Sequence, residues 1–290
     1  MKVCLECEES FDAPTWICPH CGHAPETYLD FLSFSPSLAR VNDGWDPAYS
    51  QRLAERESSN FWFRARNSLI VWALKRYFPG AQSFLEVGCG TGFVLSGIHE
   101  AFPGLALSGS DGTCESLAFA REKCPAADFF QIDARAIPFR DEFDLIGAFD
   151  VLEHIEEDLD ALKQIHAALR PQGGLLVTVP QHEFLWSVAD DFSYHKRRYS
   201  RAELLEKLDQ AGFSVTRVTS FNAFLLPLML LSRRRLPKLV EDFDPMSEYS
   251  SSRALNAILE SVLRLEKELI SFGVNFPLGG TLLAVAQRKE

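Results

Sequence analysis

Four cysteines near the start of the chain have the clearest potential for chemistry. They form two Cys-x-x-Cys pairs, with ten residues between Cys7 and Cys18. A Cys-x-x-Cys turn places two sulfur atoms on one side of a metal, and zinc prefers four tetrahedral thiolate or imidazole ligands. The spacing therefore predicts a zinc site whose ligands are Cys4, Cys7, Cys18 and Cys21.

The second cysteine pair lies in the turn CPHCG, where Pro19 stiffens the bend and Gly22 can adopt a left-handed conformation. Two such turns joined by a short link resemble a zinc ribbon, although the link is shorter than in many sites with two cysteine pairs. Four protein ligands leave no open position for a substrate, so we expect structural zinc. A redox dithiol or unliganded cysteines are the alternatives.

A glycine-rich loop follows a predicted buried strand in the segment SFLEVGCGTGFVLSGIHEA, and a helix is predicted over Phe93–Ala101. Glycine lets the backbone approach a ligand closely. The loop lacks the Gly-Lys-Ser/Thr of a Walker loop, and its G-x-G-x-G spacing differs from the G-x-G-x-x-G of nicotinamide sites. The candidate ligand-binding residues here are Glu86, Gly88, Cys89, Gly90 and Gly92.

Aspartates also follow three later predicted strands. Asp111, with Gly112, lies roughly 20 residues beyond the loop; Asp133, with Ala134, follows the third strand, and Asp150 follows the fourth. Ligands of open parallel sheets bind at the carboxyl ends of the strands, so this shared placement favours a binding site. Asp111 and Asp133 could instead be helix N-caps, where Asp is common.

The acidic residue before the loop, the motif LEVGCGTG and the order of the following strands resemble the class I S-adenosylmethionine (SAM)-dependent methyltransferases. The resemblance covers about residues 83–180 and includes Leu152–Ile155, a tetrad common in this family after the fourth strand. It implies that the chain binds SAM and releases S-adenosylhomocysteine. It also implies that Asp111 accepts both ribose hydroxyl protons and that Asp133 contacts the adenine amine.

The segment FWFRAR, which precedes the loop and begins a predicted helix, resembles a segment of a bacterial branch of these enzymes often associated with glycan, lipid or natural-product pathways. A guanidinium binds a carboxylate in a bidentate manner, so an arginine here could pair with the methionine carboxylate of SAM. Arg66 is favoured over Arg64. The alternative is aromatic packing beside a solvated charge.

A histidine in the loop after the fifth strand is the candidate catalytic base. The sequence HKRRYS, which contains His195, also recurs in that branch, and in this fold the loop faces the methyl group. The ordinary pKa of histidine lies near working pH, which suits a general base. Alternatively, the segment is a solvated basic patch or folds over the cofactor. Ser200 and Glu203 then form a capping-box pattern that predicts a helix.

The net charge of −11 argues against a broad nucleic-acid-binding surface. No apolar signal segment is present at the start, so we expect a cytoplasmic protein with reduced cysteines. Residues 221–235 combine an apolar stretch with a basic run. This segment could be a lid or contact a membrane surface or a protein, or it could be a helix end facing solvent.

The resemblance to this family implies an α/β fold with a Rossmann-like, seven-stranded, mostly parallel sheet, helices on both faces and an antiparallel last strand. The predicted divisions are a zinc ribbon over 1–24, a linker or cap over 25–57 with a short helix near Tyr28–Phe34, and a SAM-dependent methyltransferase domain over 58–290. Within that domain, we expect the SAM core over 83–180 and acceptor-side loops and a cap over 181–275.

The predicted function is methyl transfer from SAM to a small-molecule acceptor, with an oxygen of a glycan, lipid-linked or quinone-like molecule favoured. A methyltransferase of RNA or protein, docked through the zinc ribbon, is one alternative. The segment FDVLEHI counts against base-amine enzymes of this fold, which usually carry Asn/Asp-Pro-Pro-aromatic there. A SAM-binding interaction module without catalysis is another alternative.

Overall fold

A nine-stranded sheet forms the centre of the computed structural model, which describes residues 1–40, 47–237, 239–249 and 251–289. Residues 41–46 of the predicted linker therefore lie outside the described residues. The strands are β1 Lys2–Val3, β2 Ser10–Phe11, β3 Glu26–Tyr28, β4 Phe31–Ser33, β5 Ser83–Val87, β6 Ala106–Asp111, β7 Asp128–Gln131, β8 Phe143–Phe149, β9 Leu169–Pro180, β10 Phe213–Phe221 and β11 Thr281–Arg288. The helices are α1 Pro36–Arg40, α2 Pro47–Glu57, α3 Phe61–Tyr77, α4 Phe93–Ala101, α5 Cys114–Lys123, α6 Asp158–Ala168, α7 Val188–Phe192, α8 Arg201–Gln210, α9 Leu226–Arg233 and α10 Arg253–Ser271.

Seven strands of this sheet confirm the predicted topology. Their order is β10-β11-β9-β8-β5-β6-β7. The pairs among β5, β6, β7, β8 and β9 are parallel, whereas β11 runs antiparallel between β9 and β10. Because β5 lies at the centre and the chain moves outward from it in both directions, the carboxyl ends of β5, β6 and β8 meet at one edge.

Two hydrophobic cores cover the two faces of the sheet. Residues of α3, α4, α5 and α10 build one core, and residues of α6 and α8 build the other. Adjacent residues of β5 show the alternation, since Phe84 packs into the first core and Leu85 into the second. The predicted Rossmann-like α/β fold is therefore correct.

The predicted helix near Tyr28–Phe34 is wrong, because this segment forms the β3–β4 hairpin. Leu29 and Asp30 turn the chain with positive φ angles of 48° and 65°. Phe31 and Ser33 are buried on alternate positions of β4, which pairs with β7 at the sheet edge. The Ser33 hydroxyl donates to Gln131 Oε1 at 2.7 Å. The open edge of β7 thus determines a conformation that the broken apolar pattern did not reveal.

The cysteine-rich segment packs against the edge of the same sheet. The Val3 amide donates to the Pro138 carbonyl at 2.9 Å. The Trp16 indole lies 4.6 Å from the Phe34 ring and 5.5 Å from the Phe139 ring, both in edge-to-face contact. Trp16 therefore joins this segment to the sheet.

Among the helices of the described residues, none combines the length and the apolar character needed to span a membrane.

Replacing Trp16 with alanine removes these aromatic contacts, so we expect the free energy of unfolding to fall by about 1–3 kcal/mol. Urea denaturation followed by fluorescence or circular dichroism measures this change. Ile17→Ala is the matched control, since Ile17 is 56% exposed and its loss should change the stability by less than about 0.5 kcal/mol. Equal effects of the two substitutions would show that Trp16 does not anchor the segment.

Candidate functional site

The glycine-rich loop exposes backbone at the carboxyl end of β5. Gly88 and Gly90 have φ angles of +70° and +51°, which side-chain-bearing residues rarely adopt. A Cβ atom at Gly88 would lie 2.4 Å from Val151 Cγ2, whereas one at Gly90 would meet no described heavy atom within 4 Å. Gly88 is therefore needed for packing, and Gly90 offers open backbone to a ligand. The predicted site residue Gly92 begins α4, also with positive φ.

Cys89, another predicted cofactor-binding residue, is buried in the first hydrophobic core. Its amide donates to the Ser110 carbonyl at 2.8 Å, which ties the loop to β6. Burial raises the pKa of the Cys89 thiol well above its ordinary value, so the side chain is neutral. Cys89 can therefore serve a ligand through its backbone position rather than through thiolate chemistry.

Asp111 joins the end of β6 to the glycine loop. Its Oδ2 atom accepts the Gly90 amide at 3.0 Å, and its Oδ1 atom accepts the Thr113 amide at 3.0 Å. Burial raises the pKa of Asp111, although these N–H donors partly oppose the increase. The neighbouring Gly112 carbonyl accepts the Gln131 side-chain amide at 2.9 Å. Asp111 thus adjoins the loop, as a group that binds ribose hydroxyls should.

Arg66 brings a buried positive charge to the ends of β5 and β8. Its guanidinium pairs with Asp150 and lies 4.7 Å from the Trp62 ring. It also acts on Glu86, where burial raises the pKa well above its ordinary value and the charge of Arg66 opposes that increase. Arg64 instead pairs with Glu260 and is 43% exposed. Arg66 is therefore the arginine at the strand ends, whereas Arg64 is not, and the pairing of Arg66 with the methionine carboxylate stays a prediction.

Asp150 has an unusual backbone conformation directly after β8. Its φ angle is +57°, and its carboxylate accepts the Thr178 hydroxyl at 3.2 Å in addition to pairing with Arg66. Such conformations in residues other than glycine cost free energy and are concentrated at functional sites. The role of Asp150 in a cofactor site stays a prediction.

Asp133 follows β7 by two residues, and its carboxylate already has a partner. Arg135 approaches it with Nε at 3.0 Å and Nη2 at 2.8 Å, and also pairs with Glu157 at 2.8 Å. Burial alone would raise the pKa of Asp133, but the hydrogen bonds and charge of Arg135 outweigh it and lower the pKa. An adenine amine at Asp133, beside Ala134, would therefore share the carboxylate with Arg135.

His195 is oriented by a buried carboxylate. Its Nδ1 atom lies 2.9 Å from Asp190 Oδ1, and Asp190 is also paired with Arg198 at 2.7 Å. Burial would raise the pKa of Asp190, but His195 and Arg198 lower it to about 2. Arg233 at the end of α9 also reaches Asp190, at 3.3 Å. Residues 221–235 thus contact the His195 loop, while α9 leaves Leu228 and other apolar side chains exposed.

Glu153 and His154 lie beside His195 and were not predicted as site residues. The His154 and His195 ring centroids are 4.7 Å apart. Burial raises the pKa of Glu153 to about 8 and lowers that of His154 to about 3, so each side chain favours its neutral form. The available signal was the pair of polar, ionisable residues between Leu152 and Ile155, because burial of such groups is costly unless they have partners.

Glu57 was also missed. This buried residue ends α2, and its carboxylate accepts the hydroxyl of Thr91 in the glycine loop at 2.6 Å and pairs with Lys123 at 2.6 Å. The end of α2, within the predicted linker or cap, therefore contacts the loop. Nothing in the local sequence signals a contact between residues this far apart.

The four cysteines form a separate centre. Cys4 and Cys21 place their sulfur atoms 3.6 Å apart, and Cys7 and Cys18 place theirs 3.7 Å apart. Four sulfurs at about 2.3 Å from a tetrahedral zinc would be about 3.8 Å from one another. The thiols therefore fit zinc closely, and four protein ligands complete its shell. Zinc binding itself stays a prediction.

Part of the sequence is similar to known methyltransferases. Residues 84–173 match the family described as "Methyltransferase domain". A protein of Mycolicibacterium smegmatis named "Probable S-adenosylmethionine-dependent methyltransferase" is 29% identical over 160 residues, 54% of this chain and 60% of the relative. The trans-aconitate 2-methyltransferase of Paracidovorax citrulli is 29% identical over 140 residues, 48% of this chain and 51% of the relative. The aligned region spans about half to three-fifths of these relatives.

Among solved structures, phosphoethanolamine N-methyltransferase 2 of Haemonchus contortus in complex with SAM has a TM-score of 0.58 and 20% identity. The match covers 86% of this chain and 59% of that one. At this identity the likeness concerns the fold. The chain has the α/β Rossmann-like fold of methyltransferases, and the family match covers the segment that contains Glu86, Asp111, Asp133 and Asp150.

Substituting Asp111 with alanine should weaken SAM binding by at least about tenfold, because a charge-assisted hydrogen bond contributes about 1.5–3 kcal/mol. Isothermal titration calorimetry measures the affinity. Asp128→Ala is the matched control, since this exposed aspartate lies at the opposite end of the adjacent strand β7. Unchanged affinity in Asp111→Ala would overturn the assignment of the ribose contact.

Substituting Cys18 with serine should release the zinc, because it removes one of four ligands. Elemental analysis of the purified protein should find one zinc per chain in the natural sequence and less in this variant. Cys124→Ser provides the control, as Cys124 is a buried cysteine of the first core. Equal zinc content in the two variants would exclude the four-cysteine site.

Proposed function

We propose that this chain is a SAM-dependent methyltransferase that methylates an oxygen atom of a small molecule. The observation that carries the proposal is the convergence of Gly90, Asp111, Glu86 and Asp150 at the carboxyl ends of β5, β6 and β8. Open backbone at Gly90 lies beside a carboxylate that suits ribose hydroxyls. The buried carboxylate of Glu86 and the partly exposed carboxylate of Asp150 suit a ligand that carries an ammonium and a sulfonium.

The residues of this edge fit SAM without a phosphate-binding loop. Asp111 would hold the ribose, and Arg66 the methionine carboxylate, while Asp133 and Ala134 would border the adenine. SAM, when bound, supplies a methyl group on a positively charged sulfur that leaves as a neutral thioether. The tasks left to the protein are to align the acceptor and to exclude water.

His195 lies on the acceptor side of this site in the proposal. Asp190 holds Nδ1, which leaves Nε2 as the nitrogen available to a substrate. A histidine oriented by a carboxylate in this way can take the proton of an acceptor hydroxyl as the oxygen bonds to the methyl carbon. An oxygen acceptor needs such help, whereas a neutral amine does not, so this arrangement supports O-methylation.

Small-molecule acceptors are supported by the chemistry of the relatives, since the names of two of the proteins compared above specify trans-aconitate and phosphoethanolamine. The four-cysteine segment supports the same reading. Its Trp16 face is occupied by Phe34 and Phe139 of the sheet edge, so that part of its surface is not available to a macromolecule.

Transfer of radiolabel from [methyl-¹⁴C]SAM into fractions of a cell extract tests the proposal. We expect the label in the low-molecular-mass fraction. Label in protein or RNA would instead indicate a macromolecular methyltransferase. Tight SAM binding with no transfer to any fraction would indicate a binding module without catalysis and would overturn the proposed activity.

With the labelled fraction as acceptor, His195→Gln should lower the rate of transfer by about 10²–10⁴-fold, the usual contribution of a general base. SAM affinity should change little. His166→Gln is the control. His166 lies on α6 and packs against Phe213 of the second hydrophobic core, so it is not part of the proposed site. A full rate in His195→Gln would remove this residue from the chemistry.

A further inference from the structure

Glu153, His154 and His195 bring one carboxylate and two imidazoles together beside the proposed SAM site. One possible ligand atom from each of the three lies within 4.8 Å of the others. The three come from two segments, because Glu153 and His154 lie on the turn after β8 and His195 lies in the loop after β9. Glu153 follows Asp150 by three residues, so the cluster lies next to the proposed SAM site at the carboxyl ends of the strands.

The Glu153 carboxylate is the most informative member. Glu153 is fully buried, and neither of its oxygens has a hydrogen-bond partner among the described residues. A buried polar group without a partner costs free energy, and a buried carboxylate costs more. Arg66 acts on Glu153 only at a distance, since its guanidinium is paired with Asp150. A cation bound to these two oxygens would compensate the cost of burying the carboxylate.

His195 is held as a metal ligand usually is. A metal-binding histidine almost always gives its second ring nitrogen to a carboxylate or a backbone carbonyl. His195 Nδ1 lies 2.9 Å from Asp190 Oδ1, which leaves Nε2 for a ligand. The His154 ring lies beside that of His195, with 4.7 Å between the ring centroids.

We propose that Glu153, His154 and His195 bind a divalent first-row transition metal ion in the acceptor pocket. Two imidazoles and one carboxylate suit Zn²⁺, Mn²⁺, Fe²⁺ or Co²⁺ rather than Ca²⁺, which prefers an all-oxygen shell. Four tetrahedral ligand atoms about 2.1 Å from a metal are about 3.4 Å from one another. The ligand atoms of this cluster lie within 4.8 Å, so changes in side-chain torsion angles that bring them closer complete the site.

Three protein ligands leave open positions for a substrate. This part of the inference rests on the proposed function. An acceptor hydroxyl that coordinates the cation has a lower pKa, so it loses its proton to water and presents an oxygen lone pair to the methyl group. With the cation bound, His195 Nε2 is a ligand, so the cation takes over from His195 the role in deprotonation that the proposed function gives to this histidine. The acceptor class becomes a hydroxyl compound with a second oxygen close by, which can chelate the cation.

Mn²⁺ is the probe, because thiolate clusters select other metals and the four-cysteine site is kept loaded with zinc. The electron paramagnetic resonance signal of free Mn²⁺ measures binding to the full chain without any acceptor. We expect one Mn²⁺ per chain. Glu153→Gln should lose this binding, and His99→Gln, which alters a histidine of α4, should keep it.

Asp190→Asn provides a graded test. Loss of the partner of a ligand usually costs about 10–100-fold in metal affinity, so the variant should bind Mn²⁺ more weakly but still bind it. Circular dichroism and SAM affinity confirm that each variant is folded. The proposal is overturned if the natural chain binds no more Mn²⁺ than Glu153→Gln does.

Activity separates this inference from the proposed function. Label transfer that is lost after chelation and restored by Mn²⁺ supports both. Mn²⁺ binding with no methyl transfer in any fraction leaves the metal site standing and removes the activity. The protein can also be assayed after the metal of the Glu153 site has been removed and the zinc of the cysteines has been kept. Full methyl transfer under these conditions would support the methyltransferase activity and show that the reaction needs no cation at Glu153.

Discussion

The buried guanidinium of Arg66 is the interaction on which the candidate site depends. The ends of parallel strands gather acidic side chains at one edge, and Glu86, Asp150 and Glu153 are all close enough to feel the charge of Arg66. Without that charge, burial of several carboxylates would cost several kcal/mol. Arg66 can occupy this position because α3 packs into the first core and Trp62 covers the guanidinium.

The same charge balance explains which carboxylates at this edge of the sheet have partners within the protein and which do not. Asp150 receives Arg66 directly, and Asp111 receives backbone amides. Glu86 and Glu153 have the least local compensation, since each has a buried oxygen without a partner among the described residues. Positively charged ligands suit such positions: a sulfonium and ammonium at the strand ends, and a metal ion beside the two histidines. The proposed chemistry thus follows from which carboxylates the protein leaves unpaired.

The cysteine-rich segment has a different relation to the site. Its sulfurs lie in a cluster of their own, and its contacts reach Pro138 and Phe139, a few residues beyond Asp133. It therefore supports the edge strand and the segment that borders the predicted adenine position. A zinc ion there would stabilise the fold locally and would take no part in methyl transfer.

The sequence predicted those features that local patterns determine. Glycine spacing and apolar runs identified β5, the loop and α4, and the predicted bounds of α4 are those of the structure, because each pattern lies within about 20 residues. The β3–β4 hairpin was missed, since pairing with β7 rather than local propensity selects its conformation. Contacts such as Glu57 with Thr91, or His195 with His154, join distant segments and have no local signature.

We propose that SAM binds at the carboxyl ends of β5, β6 and β8, and a crystal structure with S-adenosylhomocysteine would decide this. We expect ribose hydroxyls on Asp111, the Gly90 backbone against the ligand and the sulfur between Asp150 and the His195 loop. A ligand bound elsewhere, or an edge closed by Arg66 with the ligand excluded, would contradict it.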